Sequence, residues 1–214
     1  MVRFKKGSVL GYKERDITFS LLMNETESNN LAILLPGAGY TVQAPLLHYS
    51  TGVFINKTYD VLHINYQYND KFYDDFSREE LTNAIKHDVK TVIDKVLKNS
   101  TYHNYYLIGK SLGTIAMSSE LERDTFRQAK AIWLTPLLQR DDVFNAMLHS
   151  QHEGLCFIGD NDSCYVEDKY NQLIENTTIT FKLIPNVDHA LQYENNTIES
   201  INVLKTIIQD IENF

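Results

Sequence analysis

Tyr105-Tyr106-Leu107-Ile108-Gly109-Lys110-Ser111-Leu112-Gly113-Thr114-Ile115-Ala116-Met117, YYLIGKSLGTIAM, is the stretch on which the fold turns. Its centre admits two chemistries. Gly109-Lys110-Ser111 matches the end of a phosphate-binding loop, whereas Gly109-x-Ser111-x-Gly113 matches the strand-to-helix turn that exposes a nucleophilic serine. A phosphate loop needs a glycine five residues before its second glycine, so that backbone N–H groups can wrap phosphate oxygens. Asn104 stands there, followed by the bulky, strand-forming Tyr105–Ile108. The serine turn explains the same residues better. A residue held in a strained turn between strand and helix needs small neighbours two places away on either side, and Gly109 and Gly113 provide them. A serine that only caps a helix is the plainer alternative.

Outward from this stretch, apolar runs of strand length alternate with amphipathic runs of helix length, the pattern of a mostly parallel sheet covered by helices on both faces. Strands are predicted at Asn30–Leu35, Val61–Tyr66, Tyr105–Ile108, Ala131–Leu134, Leu155–Ile158 and Ile179–Ile184, preceded by an N-terminal β-hairpin over Gly7–Leu22. Helices are predicted at Ser77–Lys98, Leu112–Leu121, Asp141–Ser150, Val166–Glu175 and Ile198–Ile211. In the first of these, Ser77 and Glu80 form a capping-box pattern, and Leu81, Ile85, Val89, Val92 and Val96 line one face. No repeat or linker interrupts the 214 residues, so one domain spanning 1–214 is expected.

Bulk composition narrows the partners. The chain is 43% hydrophobic and 22% charged, ordinary for a globular protein. Its net charge of −8 and the lack of a basic stripe disfavour nucleic acid and anionic membrane surfaces as partners. The N-terminus has no apolar run of signal-peptide length and no segment is long enough to span a membrane, so a cytoplasmic location is expected. Cys156 and Cys164 fit neither a zinc site nor a disulfide framework and read as reduced thiols.

A lone serine is a poor nucleophile, so the turn predicts a general base and an orienting acid at the ends of later strands. After Leu155–Ile158 comes Gly159-Asp160-Asn161-Asp162; after Ile179–Ile184 comes Pro185-Asn186-Val187-Asp188-His189. The order along the chain is Ser, Asp, His. On these residues, the sequence from about Asn30 to the C-terminus resembles the α/β-hydrolase superfamily. It is most similar to the small, lidless serine hydrolases, near the dienelactone-hydrolase-like and short-chain esterase or thioesterase members.

The resemblance implies an α/β-hydrolase fold without a lid domain, with Ser111 as nucleophile and His189 as base. The family's Gly-x-x-Asp pattern falls on Gly159 and Asp162, favouring Asp162 as the acid over Asp160, while Asp188 adjoins His189 too directly to orient it. The other histidines, at 48, 63, 87, 103, 149 and 152, are expected in packing or surface roles. Acyl transfer passes through an oxyanion, and each preorganised N–H donor aimed at it contributes about 2.7–4 kcal/mol. Leu112 at the start of a helix is one expected donor. The other comes from Leu35-Pro36-Gly37-Ala38-Gly39-Tyr40, where Pro36 replaces the family's usual histidine; Ala38 is preferred, with Gly39 or Tyr40 as alternatives.

Substrate contacts are expected from the loops at strand C-termini: Gly39 and Tyr40 with Val42 and Leu46, then Tyr66 with Tyr68, Phe72 and Tyr73, then Pro136 with Leu137 and Leu138. A small ester or thioester is the expected partner, and no metal or organic cofactor is implied. Transfer to an acceptor other than water, and a binding or regulatory protein on the same fold, remain the alternatives. Lys110 either pairs with a carboxylate or attracts an anionic substrate.

Overall fold

The computed structural model describes residues 2–25 and 27–214. Eight strands form one sheet: β1 (Arg3–Leu10), β2 (Asp16–Met23), β3 (Asn30–Leu35), β4 (Asp60–Asn65), β5 (Asn104–Lys110), β6 (Lys130–Leu134), β7 (Gly154–Gly159) and β8 (Ile179–Ile184). Their order across the sheet is β1-β2-β4-β3-β5-β6-β7-β8. From β4 to β8 every pairing is parallel; β1 with β2 and β2 with β4 are antiparallel, so the expected N-terminal hairpin forms one edge. Lys5 and Lys6 lie exposed on that edge, where charge discourages pairing with another chain.

Alternate residues of the inner strands feed two cores, as the period of two in a strand requires. Leu31, Ile33 and Leu35 of β3 face one side, with Leu107 of β5 and Trp133 of β6. Ala32 and Leu34 face the other, with Ile108 and Ile132. Helices α2 (Arg78–Leu97), α3 (Gly113–Leu121), α4 (Asp141–Leu148) and α5 (Glu167–Leu173) cover the first side. Helices α1 (Pro45–Asn56) and α6 (Thr197–Asn213) cover the second. Both faces of the central strands are therefore dry, which explains their unbroken apolar sequences.

The cap of α2 is as expected: the Glu80 N–H donates to Ser77 Oγ at 3.1 Å. Helix α1 is an element that the apolar periodicity did not predict. Its buried face mixes the polar Ser50 and Thr51 with Leu46, Leu47, Val53 and Phe54 while Tyr49 is exposed, which blurs the apolar pattern, and Gly52 and the β-branched Thr51 and Val53 are weak helix formers. Pro45 in its first turn and burial against the sheet hold it helical. Between β6 and β7 the chain makes only the eight-residue α4, and no lid covers the strand ends there.

Two glycines let elements approach more closely than any side chain permits. A Cβ on Gly113 would stand 2.1 Å from the Leu35 carbonyl oxygen, and one on Gly159 would stand 2.0 Å from that of Val187. The first contact seats α3 against β3; the second seats the segment after β8 against β7. Gly113→Ala is therefore expected to lower stability by about 2–3 kcal/mol, read as a reduced midpoint in urea unfolding, because backbone on both sides must move. Unchanged stability would show that α3 can shift freely away from β3.

Candidate active site

Strand β5 ends in a tight turn at Ser111. Its φ of 52° lies in the left-handed region, sparsely populated by non-glycine residues. Bonds on both sides pin the turn: the Ser111 N–H donates to Leu134 O at 2.9 Å, and the Ser111 carbonyl accepts from the Thr114 N–H at 2.9 Å and its hydroxyl at 2.6 Å. Strand register and helix start thus force the serine side chain out at the C-terminal edge of the sheet.

The segments after β7 and β8 converge on it. His189 Nε2 lies 2.7 Å from Ser111 Oγ. His189 Nδ1 lies 2.8 and 2.9 Å from the two carboxylate oxygens of Asp162. A carboxylate only accepts, so in the neutral ring Nδ1 carries the proton and Nε2 accepts from the serine hydroxyl. The Asp162 side chain is fully buried, whereas that of His189 is 35% exposed. Asp162 Oδ1 also accepts from the Cys164 N–H at 2.7 Å.

The other aspartates do different work. Asp160 accepts from the Asn186 N–H at 2.6 Å, joining the two loops from the exposed side. Asp188 accepts from the N–H groups of Ala190 and Gln192, folding the turn that carries His189. Of the two acids weighed in the sequence, only Asp162 meets the ring.

Burial lowers the proton affinity of His189, but its hydrogen bonds to Asp162 and Cys164 and the Asp162 charge outweigh it, so its pKa is pushed up to about 9. Asp162, Cys164 and His189 bring donor atoms within 4.8 Å of one another and have the chemistry to hold a metal ion. An ion there would compete for the Nδ1 and carboxylate atoms that already bond to each other.

The loop after β3 passes beside the serine. A Cβ on Gly37 would stand 3.4 Å from that of Ser111. The Gly37 N–H is spent on Tyr40 O at 3.1 Å, whereas no bond from the Ala38 or Leu112 N–H to another group occurs among the described residues. Leu112 stands at the N-terminus of α3, the positive end of that helix.

The expected substrate contacts divide. Gly39 is exposed and Tyr40 half-buried at the loop tip. Tyr40 also lines a cavity of about 170 Å³ between α1 and α6, with Leu46, Ala190, Leu191, Gln192 and Leu204. Tyr66 is not a wall of that cavity: it is buried, and its hydroxyl donates to the Pro36 carbonyl at 2.6 Å, bracing the loop from behind. Pro136 is likewise buried and outside the cavity lining.

Sequence reasoning missed three groups at the site. Cys164 is a buried free thiol whose sulfur accepts from Gln139 Nε2 at 3.2 Å. Thr135 is fully buried at the end of β6. Lys110 matches neither expectation for it: it is 1% exposed and, among the described residues, has no carboxylate within ion-pair distance. Its Nζ donates to Thr135 Oγ1 at 2.5 Å and to the His189 carbonyl at 2.7 Å. Only the convergence of loops from different strands brings these groups together, and no local spacing encodes it.

No helix among the described residues is long and apolar enough to cross a membrane. No curated protein matches the chain in sequence. Among solved structures, it is similar to a putative alpha/beta hydrolase from Agrobacterium tumefaciens (TM-score 0.74, 18% identity, over 98% of this chain and 94% of that one). It is also similar to Est1E from Butyrivibrio proteoclasticus with ferulic acid bound (0.70, 12%, over 96% of each). A third is a serine hydrolase without lid from Xanthomonas campestris (0.66, 15%, over 97% and 94%). At these identities the likeness speaks for the fold. The model of the alpha/beta hydrolase domain family matches residues 28–214, strands β3 to β8 and every residue of the site, and the chain belongs to that family.

Proposed function

We propose that this protein is a serine hydrolase that cleaves small or medium carboxylic esters or thioesters through an acyl-enzyme. The observation that carries the reading is the continuous path from Ser111 Oγ through His189 to the buried Asp162, starting from a serine held at a left-handed strand-to-helix turn. The fold of a lidless serine hydrolase and of a ferulic-acid-bound protein supports it.

In this mechanism Ser111 Oγ attacks the acyl carbon while His189 Nε2 takes the hydroxyl proton. The resulting oxyanion accepts from the Leu112 and Ala38 N–H groups. Collapse breaks the bond to the alkoxide or thiolate, which leaves with the proton from His189. Water then attacks the acyl-enzyme, with His189 again as base, releasing the acid and restoring the serine. Asp162 holds the ring in the working tautomer. We assign the acyl group to the cavity lined by Tyr40, Leu46 and Ala190, the residue after His189; its volume of about 170 Å³ is smaller than the ~300–1,000 Å³ of clefts for drug-sized ligands, which favours a short acyl chain.

A fluorophosphonate is expected to label the protein at one serine, and Ser111→Ala to lose both labelling and ester hydrolysis; labelling that survives this substitution sinks the assignment. Asp162→Asn should lower kcat by about 10³–10⁴-fold while the protein still folds, because the wrong tautomer is then favoured. Since His189 acts when neutral and its pKa is raised to about 9, kcat/KM should climb between pH 7 and pH 9. A profile already flat at pH 7 would contradict this. Across aryl esters, acetate and butyrate should turn over faster than palmitate.

A further inference from the structure

We propose that Lys110 is a positioning residue for the Ser111–His189 pair: its buried ammonium ties the backbone of the base to the strand end that carries the nucleophile. The inference rests on the hydrolase reading, since it assigns these two residues their roles.

Lys110 immediately precedes Ser111, and its β-sheet neighbour is Leu134, whose carbonyl accepts the Ser111 N–H. From there its side chain runs under the site. The Nζ donates to His189 O at 2.7 Å and to Thr135 Oγ1 at 2.5 Å, and lies 5.1 Å from the centroid of the Tyr40 ring. An ammonium has three N–H donors, and two oxygens and an aromatic face meet it here. One cation thereby joins the ends of β5 and β6 to the loops that follow β3 and β8.

Such an arrangement is costly to build, which argues for a purpose. A charged group buried among few partners is disfavoured. Thr135, one of its two oxygen acceptors, has a φ of 45°, a conformation in which a β-branched residue is a true outlier. That strained residue also bonds through its N–H to Phe157 O at 2.7 Å, so its hydroxyl is presented from a fixed point.

The consequence is control of one distance. His189 lies in an irregular segment with left-handed residues at Asn186 and Leu191, and no strand ladder holds it. The Lys110 bond to its carbonyl fixes the residue against the Ser111 turn. Burial lowers the Lys110 pKa to about 8, and below that pH its positive charge opposes protonation of His189, partly offsetting the pull of Asp162. The charged and titratable groups facing Lys110 are Asp162 and Cys164 from the segment after β7, Asp188 and His189 from that after β8, and Tyr40 from that after β3.

Lys110→Met keeps the unbranched stem, one atom shorter, and removes the charge and donors. It should reduce kcat on a short ester by about 10²-fold with KM within about twofold of wild type, as misplacement of a reacting group by about 1 Å does. The acid limb of its pH profile should move to higher pH, and the His189 ring, followed by NMR, should titrate higher than in wild type. A packing defect alone would leave both unmoved. Thr135→Val keeps shape and strain but deletes one acceptor, and should lower kcat several-fold with KM unchanged.

Wild-type kcat and an unmoved His189 titration in Lys110→Met overturn the proposal. If that variant does not fold, unchanged kcat in Thr135→Val overturns it. Wild-type protein inert to both esters and fluorophosphonate would defeat the hydrolase reading instead. In that case the titration of His189 in Lys110→Met still decides whether the ammonium governs the ring.

Discussion

Where α3 begins, its first residue lies so near the Leu35 carbonyl that no side chain fits between them. Helix, nucleophile turn and the loop after β3 are therefore set by a single backbone contact. Strand β5 cannot run straight on, because the helix is already seated, and Ser111 takes the left-handed conformation that remains. The same contact carries the Gly37–Tyr40 loop past the serine. The loop after β3 at Gly37 and the start of α3 consequently both adjoin the Ser111 turn.

The order of the strands does the rest. Ser111, Asp162 and His189 are far apart in the chain, but they follow β5, β7 and β8, and parallel strands put all their C-terminal ends on one edge. That made the fold and the three residues legible, since a Gly-x-Ser-x-Gly turn and two later strand ends require no knowledge of packing. Gly159 was legible as part of a pattern, but its reason was not: it lets the Val187 backbone pass at a distance that any Cβ would forbid. Helix α1 escaped notice because its buried face carries Ser50 and Thr51 while Tyr49 is exposed, which blurs the apolar period. A strand-end tyrosine such as Tyr66 looks the same in sequence whether its hydroxyl meets a ligand or a carbonyl, here that of Pro36.

Lys110 marks the limit of one-dimensional reading. Its neighbours in sequence are a glycine and a serine, and nothing nearby states that its nitrogen ends on the carbonyl of a residue 79 positions away. A site built from a cation, an imidazole and a carboxylate in one buried cluster balances opposing demands on the ring. Asp162 favours its charged form and Lys110 its neutral one. Burial lowers the ring's proton affinity first, the bond to Asp162 raises it, and the charges of Lys110 and Asp162 pull it in opposite directions.

The sheet also divides unevenly between invention and constraint. Lys110, Ser111, Thr135, Asp162 and His189 come from β5 through β8 and the segments that follow them, whereas the hairpin β1–β2 lies beyond β4 at the far edge and outside the region that matches the family. Its outer strand β1 is mostly exposed, but Ile17, Phe19 and Leu21 of β2 are buried in the core shared with β3 and β5, so the margin remote from the serine is still anchored in the packing that carries it.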